Sequence, residues 1–169
     1  TRPEPDSHVQ DFQHPRAFYR LCWAVLCERW AAFMLTSTVA VMMCDRYGLS
    51  ASSSLRWLGI ISAANYVGTL PGGYLLDRLT DSRRGFAIGS LFLLLGYVAL
   101  SLPSLAVTYL AFTLLLAGHS LYKPSTNRIL VGLSKMESRH MEGAQVLLHF
   151  TVNIGAAAGA LLAGVLAKY

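Results

Sequence analysis

Apolar residues in this chain come in long blocks with polar breaks between them, and not in one-sided stripes. A membrane-spanning helix needs about 20 apolar residues in a row, and blocks of that size fit it. Five such helices are predicted, over residues 17–44, 55–76, 85–102, 105–133 and 143–167. The stretch from Gly85 to Tyr122 carries no formal charge over 38 residues. As one helix it would run about 57 Å, against a hydrocarbon core of about 30 Å. It must fold back, and Pro103-Ser104 is the hinge. The first helix differs from the rest. Neither side of Glu28-Arg29 is long enough to span alone, so these charges are carried inside the membrane.

Composition sharpens this picture. Of 169 residues, 54% are hydrophobic and 14% are charged; a soluble domain is nearer about 25% charged. The fold class expected is an all-α integral membrane bundle whose partner is the lipid bilayer. The net charge of +5 is therefore not read as nucleic-acid binding. Basic residues of membrane proteins gather on the cytoplasmic side. Arg2, Arg16 and Arg20 lie before or at the start of helix one, Arg78, Arg83 and Arg84 between helices two and three, and Lys135 and Arg139 after helix four. The opposite loops hold Arg46 and Arg56. This places residues 1–16 and the Arg78–Arg84 loop in the cytoplasm. Residues 1–16 lack the basic start and short apolar core of a signal peptide. Transporters are commonly built from repeated helical units, so five helices are expected to be the N-terminal part of a longer chain, partnered by its remaining C-terminal helices.

Ionisable residues at bilayer depth are costly, at about 2.5–3.5 kcal/mol or more, and by default mark a pathway. Glu28 and Arg29 are adjacent, so on a helix they point about 100° apart and each is expected to need a partner elsewhere. Lys123 precedes Pro124, whose ring frees the carbonyl of Ser120 and favours a kink beside a cavity. Gly118 and His119 add softness and polarity one turn earlier. Asn153 lies mid-helix in helix five, with His149 four residues earlier on the same face. Either reads as a packed polar group or as a contact to a solute. Gly68-x-x-x-Gly72-Gly73 and Gly155-x-x-x-Gly159 are small-residue faces for close helix contact. Cys22, Cys27 and Cys44 have no disulfide or metal spacing and read as packing residues. No cofactor motif, nucleophile elbow or phosphate-binding loop is present in the sequence, so an enzyme is not expected.

Between helices two and three, Gly73, three residues, Asp77-Arg78 and then Arg83-Arg84 resemble the signature loop of the major facilitator superfamily. Within it the chain resembles the proton-dependent oligopeptide transporters along nearly its whole length. His14-Pro15-Arg16 looks like that family's start. Leu21-Cys22-Trp23 with Cys27-Glu28-Arg29-Trp30 resembles its first-helix Glu-x-x-Glu-Arg-Phe motif. Tyr66, Gly72-Gly73 and Asp77-Arg78 fit its second helix. Leu121-Tyr122-Lys123-Pro124 with Gly132 resembles its Phe-Lys-Pro motif, and Asn153-Ile154-Gly155 its Asn-x-Gly.

The departures fall on functional positions of the family. Val25 stands where the motif's first Glu is expected, Ala32 and Phe33 where two tyrosines are, Thr36 where an Arg is, His149 where a Tyr is, and Asp81 where the loop signature has Gly. The resemblance implies a secondary transporter of the inner membrane. It would move peptides, such as di- or tripeptides, or a related small solute by alternating access, with protons as the coupling ion. Glu28, Arg29, Tyr66, Lys123, Asn153 and His149 would form the substrate and proton pathway. Gly73, Asp77, Arg78 and Arg84 would form the cytoplasmic gate. With Val25 apolar, Glu28 is expected to pair with Lys123, while Arg29 hydrogen-bonds within the bundle. The rival reading is a non-transporting relative of the same fold that acts as a sensor or scaffold.

Overall fold

The computed structural model describes residues 16–78, 81–133 and 138–166, without the side chains of 138–140. The expected N-terminal segment therefore lies outside the described residues, apart from Arg16. The described residues form α1 (Arg16–Tyr47), α2 (Ala51–Val67), α3 (Thr69–Arg78), α4 (Ser82–Leu100), α5 (Leu105–Leu133) and α6 (Ser138–Leu166). Four of these, α1, α4, α5 and α6, are long and apolar enough to cross a membrane. The bounds of α5 are those expected. Pro103 lies in the turn just before it, and the Thr108 N–H donates to the Ser104 carbonyl, closing its first turn.

The predicted second helix is two helices. Pro71 has no N–H to give the Val67 carbonyl, so the ladder breaks there. Gly68 nonetheless keeps right-handed helical angles (φ −60°, ψ −20°). The Gly68 and Gly72 amides still donate four residues back, to Ala64 and Gly68. The chain therefore carries on from α2 into α3 without reversing. The first helix also runs further than expected, to Tyr47. Arg46 donates to the carbonyls of Leu100 (3.1 Å) and Ser101 (3.2 Å) at the end of α4. A cation there satisfies carbonyls that a helix end leaves open.

Packing pairs α4 with α5 and α1 with α6, and lays α3 on α5. Glycines set these distances. A Cβ on Gly89 would meet the Tyr122 amide at 2.8 Å, and one on Gly118 the Leu93 amide at 2.9 Å. The two expected small-residue faces are real contacts: Gly155 and Gly159 pack on the backbone of α1 at Leu26 and Trp30, and Gly68 and Gly72 pack on α5 at Ser120. Gly73 meets nothing within 4 Å. Helix α5 runs on through Pro124. The Ser120 carbonyl, which Pro124 deprives of its usual donor, lies against Gly72. The proline and the glycine thus meet at one crossing.

Two apolar clusters hold the bundle. One joins Val39 and Met43 of α1 to Leu93 and Leu100 of α4 and Phe112, Leu115 and Tyr122 of α5. The other joins Phe18, Leu21 and Val25 of α1 to Leu130 of α5 and Leu148 of α6. Glu28 and Arg29 lie on α1 between the two.

Ala in place of Gly72 forces Cβ onto the Ser120 backbone, whereas Ala at Gly73 finds open space. Gly72→Ala is expected to cost about 2 kcal/mol, and Gly73→Ala less than about 0.5 kcal/mol. Thermal unfolding of the detergent-solubilised protein measures both. Equal losses would show that the α3–α5 crossing is looser than described.

A candidate transport site at the Glu28–Arg29 pair

Glu28 is 8% exposed, in a helix that places it between apolar clusters. Its charge has to be met at close range. Arg29 does this by folding back along α1: Nε donates to Oε2 at 2.5 Å and Nη2 to Oε1 at 2.7 Å. This corrects the expectation that adjacent residues fail to face each other. Their Cβ atoms do point apart, but the arginine stem is long enough to return its guanidinium as a two-pronged donor. His119 of α5 completes the group, with Nδ1 3.2 Å from Glu28 Oε1.

The expected Glu28–Lys123 pair does not form among the described residues. Lys123 instead sets its Nζ 5.2 Å from the centre of the Tyr66 ring. An ammonium over an aromatic face is attracted by the ring's negative face. Arg29 already takes both oxygens of Glu28, which leaves Lys123 free to turn toward α2.

Two recesses lined by both Arg29 and Lys123 open beside this group. The first, of about 280 Å³, is lined by Arg29, Asn65, Tyr66, Tyr97, His119 and Lys123, with Ala32, Phe33 and Thr36 on its α1 wall. The second, of about 220 Å³, is lined by Glu28, Arg29, Lys123, Asn127 and His149, with Val25 beside them. Arg29 and Lys123 are common to both. Of the positions that depart from the transporter motifs, Val25, Ala32, Phe33, Thr36 and His149 lie on recess walls; Asp81 does not. Asn153 lines neither recess and is exposed on α6. Glu28, Arg29, Tyr66, Lys123 and His149 come together, and Asn153 stands apart.

At the other end of α3, Asp77 pairs with Arg128 of α5, which also donates to the Leu76 carbonyl at 3.3 Å. Arg78 turns away onto Tyr74, donating to its hydroxyl at 2.6 Å. Asp81 caps α4, its Oδ1 accepting from the Arg83 amide at 2.9 Å. Among the described residues, Gly73 and Arg84 make no part of this network; Arg84 is exposed. Sequence reading missed Arg128, Asn65 and Tyr97, and gave His119 only a softening role. His119 stands four residues before Lys123, hence on one helix face, and that spacing was the available signal.

Removing one partner of a buried pair leaves the other charge uncompensated, at about 3–5 kcal/mol. Arg29→Met is expected to destabilise by that order, and the double variant Glu28→Gln/Arg29→Met by clearly less. Thermal midpoints of the three proteins decide this. Additive losses would show that the two side chains do not pair.

The Major Facilitator Superfamily sequence model matches residues 8–169. Dipeptide and tripeptide permease A of Klebsiella pneumoniae is 27% identical over 91% of this chain. The protein of the same name from Escherichia coli is 26% identical over 91% of it. This chain spans 31% of the length of each. A crystal structure of a peptide transporter POT in complex with sulfate superposes with a TM-score of 0.85, at 24% identity, over 90% of this chain and 32% of the other. With four apolar helices of spanning length and a sequence model matched over nearly its full extent, the chain belongs to the major facilitator superfamily.

Proposed function

We propose that this chain forms part of a secondary transporter of the inner membrane, which moves peptides or a related small solute by alternating access. The observation that carries this is the pair of recesses sharing Arg29 and Lys123, backed by the buried carboxylate of Glu28. Cations on a cavity wall are suited to a solute carboxylate. Tyr66 and Tyr97 give the first recess flat apolar faces with polar tips. Relatives named for dipeptide and tripeptide transport support the same reading.

Protons are the proposed coupling ion. Glu28 is the carboxylate that would take one up, because Val25 removes the other acid of the motif. Protonation of Glu28 would release Arg29, which then reaches the solute. The Asp77–Arg128 pair and the Arg78–Arg84 region form the proposed cytoplasmic gate. The basic residues before α1 and in the Arg78–Arg84 loop support a cytoplasmic N-terminus.

The test is uptake of labelled dipeptides by liposomes holding the full-length protein that carries this chain, under an inward proton gradient. Lys123→Ala is expected to lower uptake by about tenfold or more, equivalent to at least about 1.4 kcal/mol. No gradient-driven uptake by the folded wild type would instead favour a non-transporting sensor or scaffold, or a different solute.

A further inference from the structure

His119 is buried against Glu28, and the transport reading leaves it without a role. Its side chain is 8% exposed and that of Glu28 is 7%. Nδ1 lies within hydrogen-bond length of Oε1, at 3.2 Å, but off the straight line that a strong bond needs. That nitrogen makes no hydrogen bond among the described residues. A buried ring nitrogen with one carboxylate beside it has that carboxylate as its natural partner. The ring also lines the larger of the two recesses, whereas Glu28 lines the smaller. His119 thus stands between the acid and the larger cavity.

The surroundings limit what else can act on Glu28. Arg29 and Cys27 are its neighbours on α1. Tyr97 faces it from α4, Tyr122, Lys123 and His119 from α5, and His149 from α6. Tyr66 of α2 takes the Lys123 ammonium. Val25 supplies no second acid with which a proton could be shared.

We propose that His119 is a positioning residue for proton coupling: as a neutral imidazole it donates Nδ1–H to Glu28 and sets the pH at which that acid loads and releases its proton. This rests on the transport reading above. An ionised carboxylate has about four acceptor sites, and Arg29 fills two. A third donor favours the ionised form. Arg29 and Lys123 already bring two positive charges here, and a neutral ring adds no third. The donor also ties Glu28 on α1 to α5, so a change at the carboxylate is felt between helices. The ring's other nitrogen remains an acceptor.

The test uses the full-length protein in lipid, with two readouts. One is the infrared band of the protonated Glu28 carboxyl, assigned by its loss in Glu28→Gln and titrated with pH. The other is the pH profile of gradient-driven dipeptide uptake. His119→Leu removes the donor and is expected to move both midpoints upward by about one pH unit. His119→Asn puts an amide N–H close to the Nδ1 position and is expected to keep both near wild type. His119→Gln places its amide nitrogen nearer the other ring position and is expected to behave like His119→Leu; it also serves if the leucine variant fails to fold.

An unchanged profile in both His119→Leu and His119→Gln overturns the proposal. So does an asparagine variant that shifts as far as they do, because the ring itself would then be needed. A wild-type Glu28 band that does not titrate overturns it as well. If the band shifts as expected while no dipeptide is taken up, the His119–Glu28 contact stands, but dipeptide transport and the coupling role that rests on it fall.

Discussion

A carboxylate buried in the middle of a membrane bundle has to be met there by donors, because burial takes most of its surface from water. Glu28 is met by its own neighbour, Arg29, while His119 of the facing helix sets its Nδ1 3.2 Å from Oε1. Much of the site follows from that arrangement. Because the guanidinium covers both oxygens, Lys123 is not drawn to Glu28 and is held over Tyr66 instead. Arg29 and Lys123 then stand on the walls of two recesses. The apolar clusters above and below the pair keep it in a weakly screened setting, where each donor counts for more.

The bundle supports this by bringing backbones close. Glycines on α3 and α4 rest on α5, and glycines on α6 rest on α1. The meeting of Gly72 with the Ser120 carbonyl joins two sequence irregularities in one contact. Pro124 removes a hydrogen bond from that carbonyl, and Gly72 lets another helix lie against it. Lys123 directly precedes Pro124, so the irregular part of α5 is also the part that carries the cation. Asp77 and Arg128 link α3 to α5 again, nearer the helix ends.

Much of this was legible in the residue pattern. Apolar run lengths and the Pro103 break placed α5 at both ends, because a long uncharged run that exceeds the bilayer must turn at its only strong breaker. The small-residue faces at Gly68–Gly72 and Gly155–Gly159 were legible for a similar reason: spacing by four puts glycines on one side of a helix. The break in the second helix was signalled by Pro71 close after Gly68, but an apolar run masks such punctuation. The charge pairing was not legible. Spacing rules track Cβ directions, and a long arginine stem overrides them at Glu28-Arg29. The pairing of Asp77 with Arg128 crosses 51 positions of sequence, and no local pattern announces it. The first recess also drew in Asn65, beside Tyr66, and Tyr97, from a helix that read only as an apolar span.

Glu28 is held by Arg29, with His119 beside it and Lys123 turned away. Solid-state NMR dipolar recoupling in lipid measures this directly, between the Glu28 carboxyl carbon and labelled side-chain nitrogens of Arg29, His119 and Lys123. The account predicts strong coupling to the Arg29 guanidinium and to His119 Nδ1, in keeping with the 3.2 Å separation of Nδ1 from Oε1, and weak coupling to Lys123 Nζ. A strong coupling to Lys123 Nζ with none to His119 would contradict it.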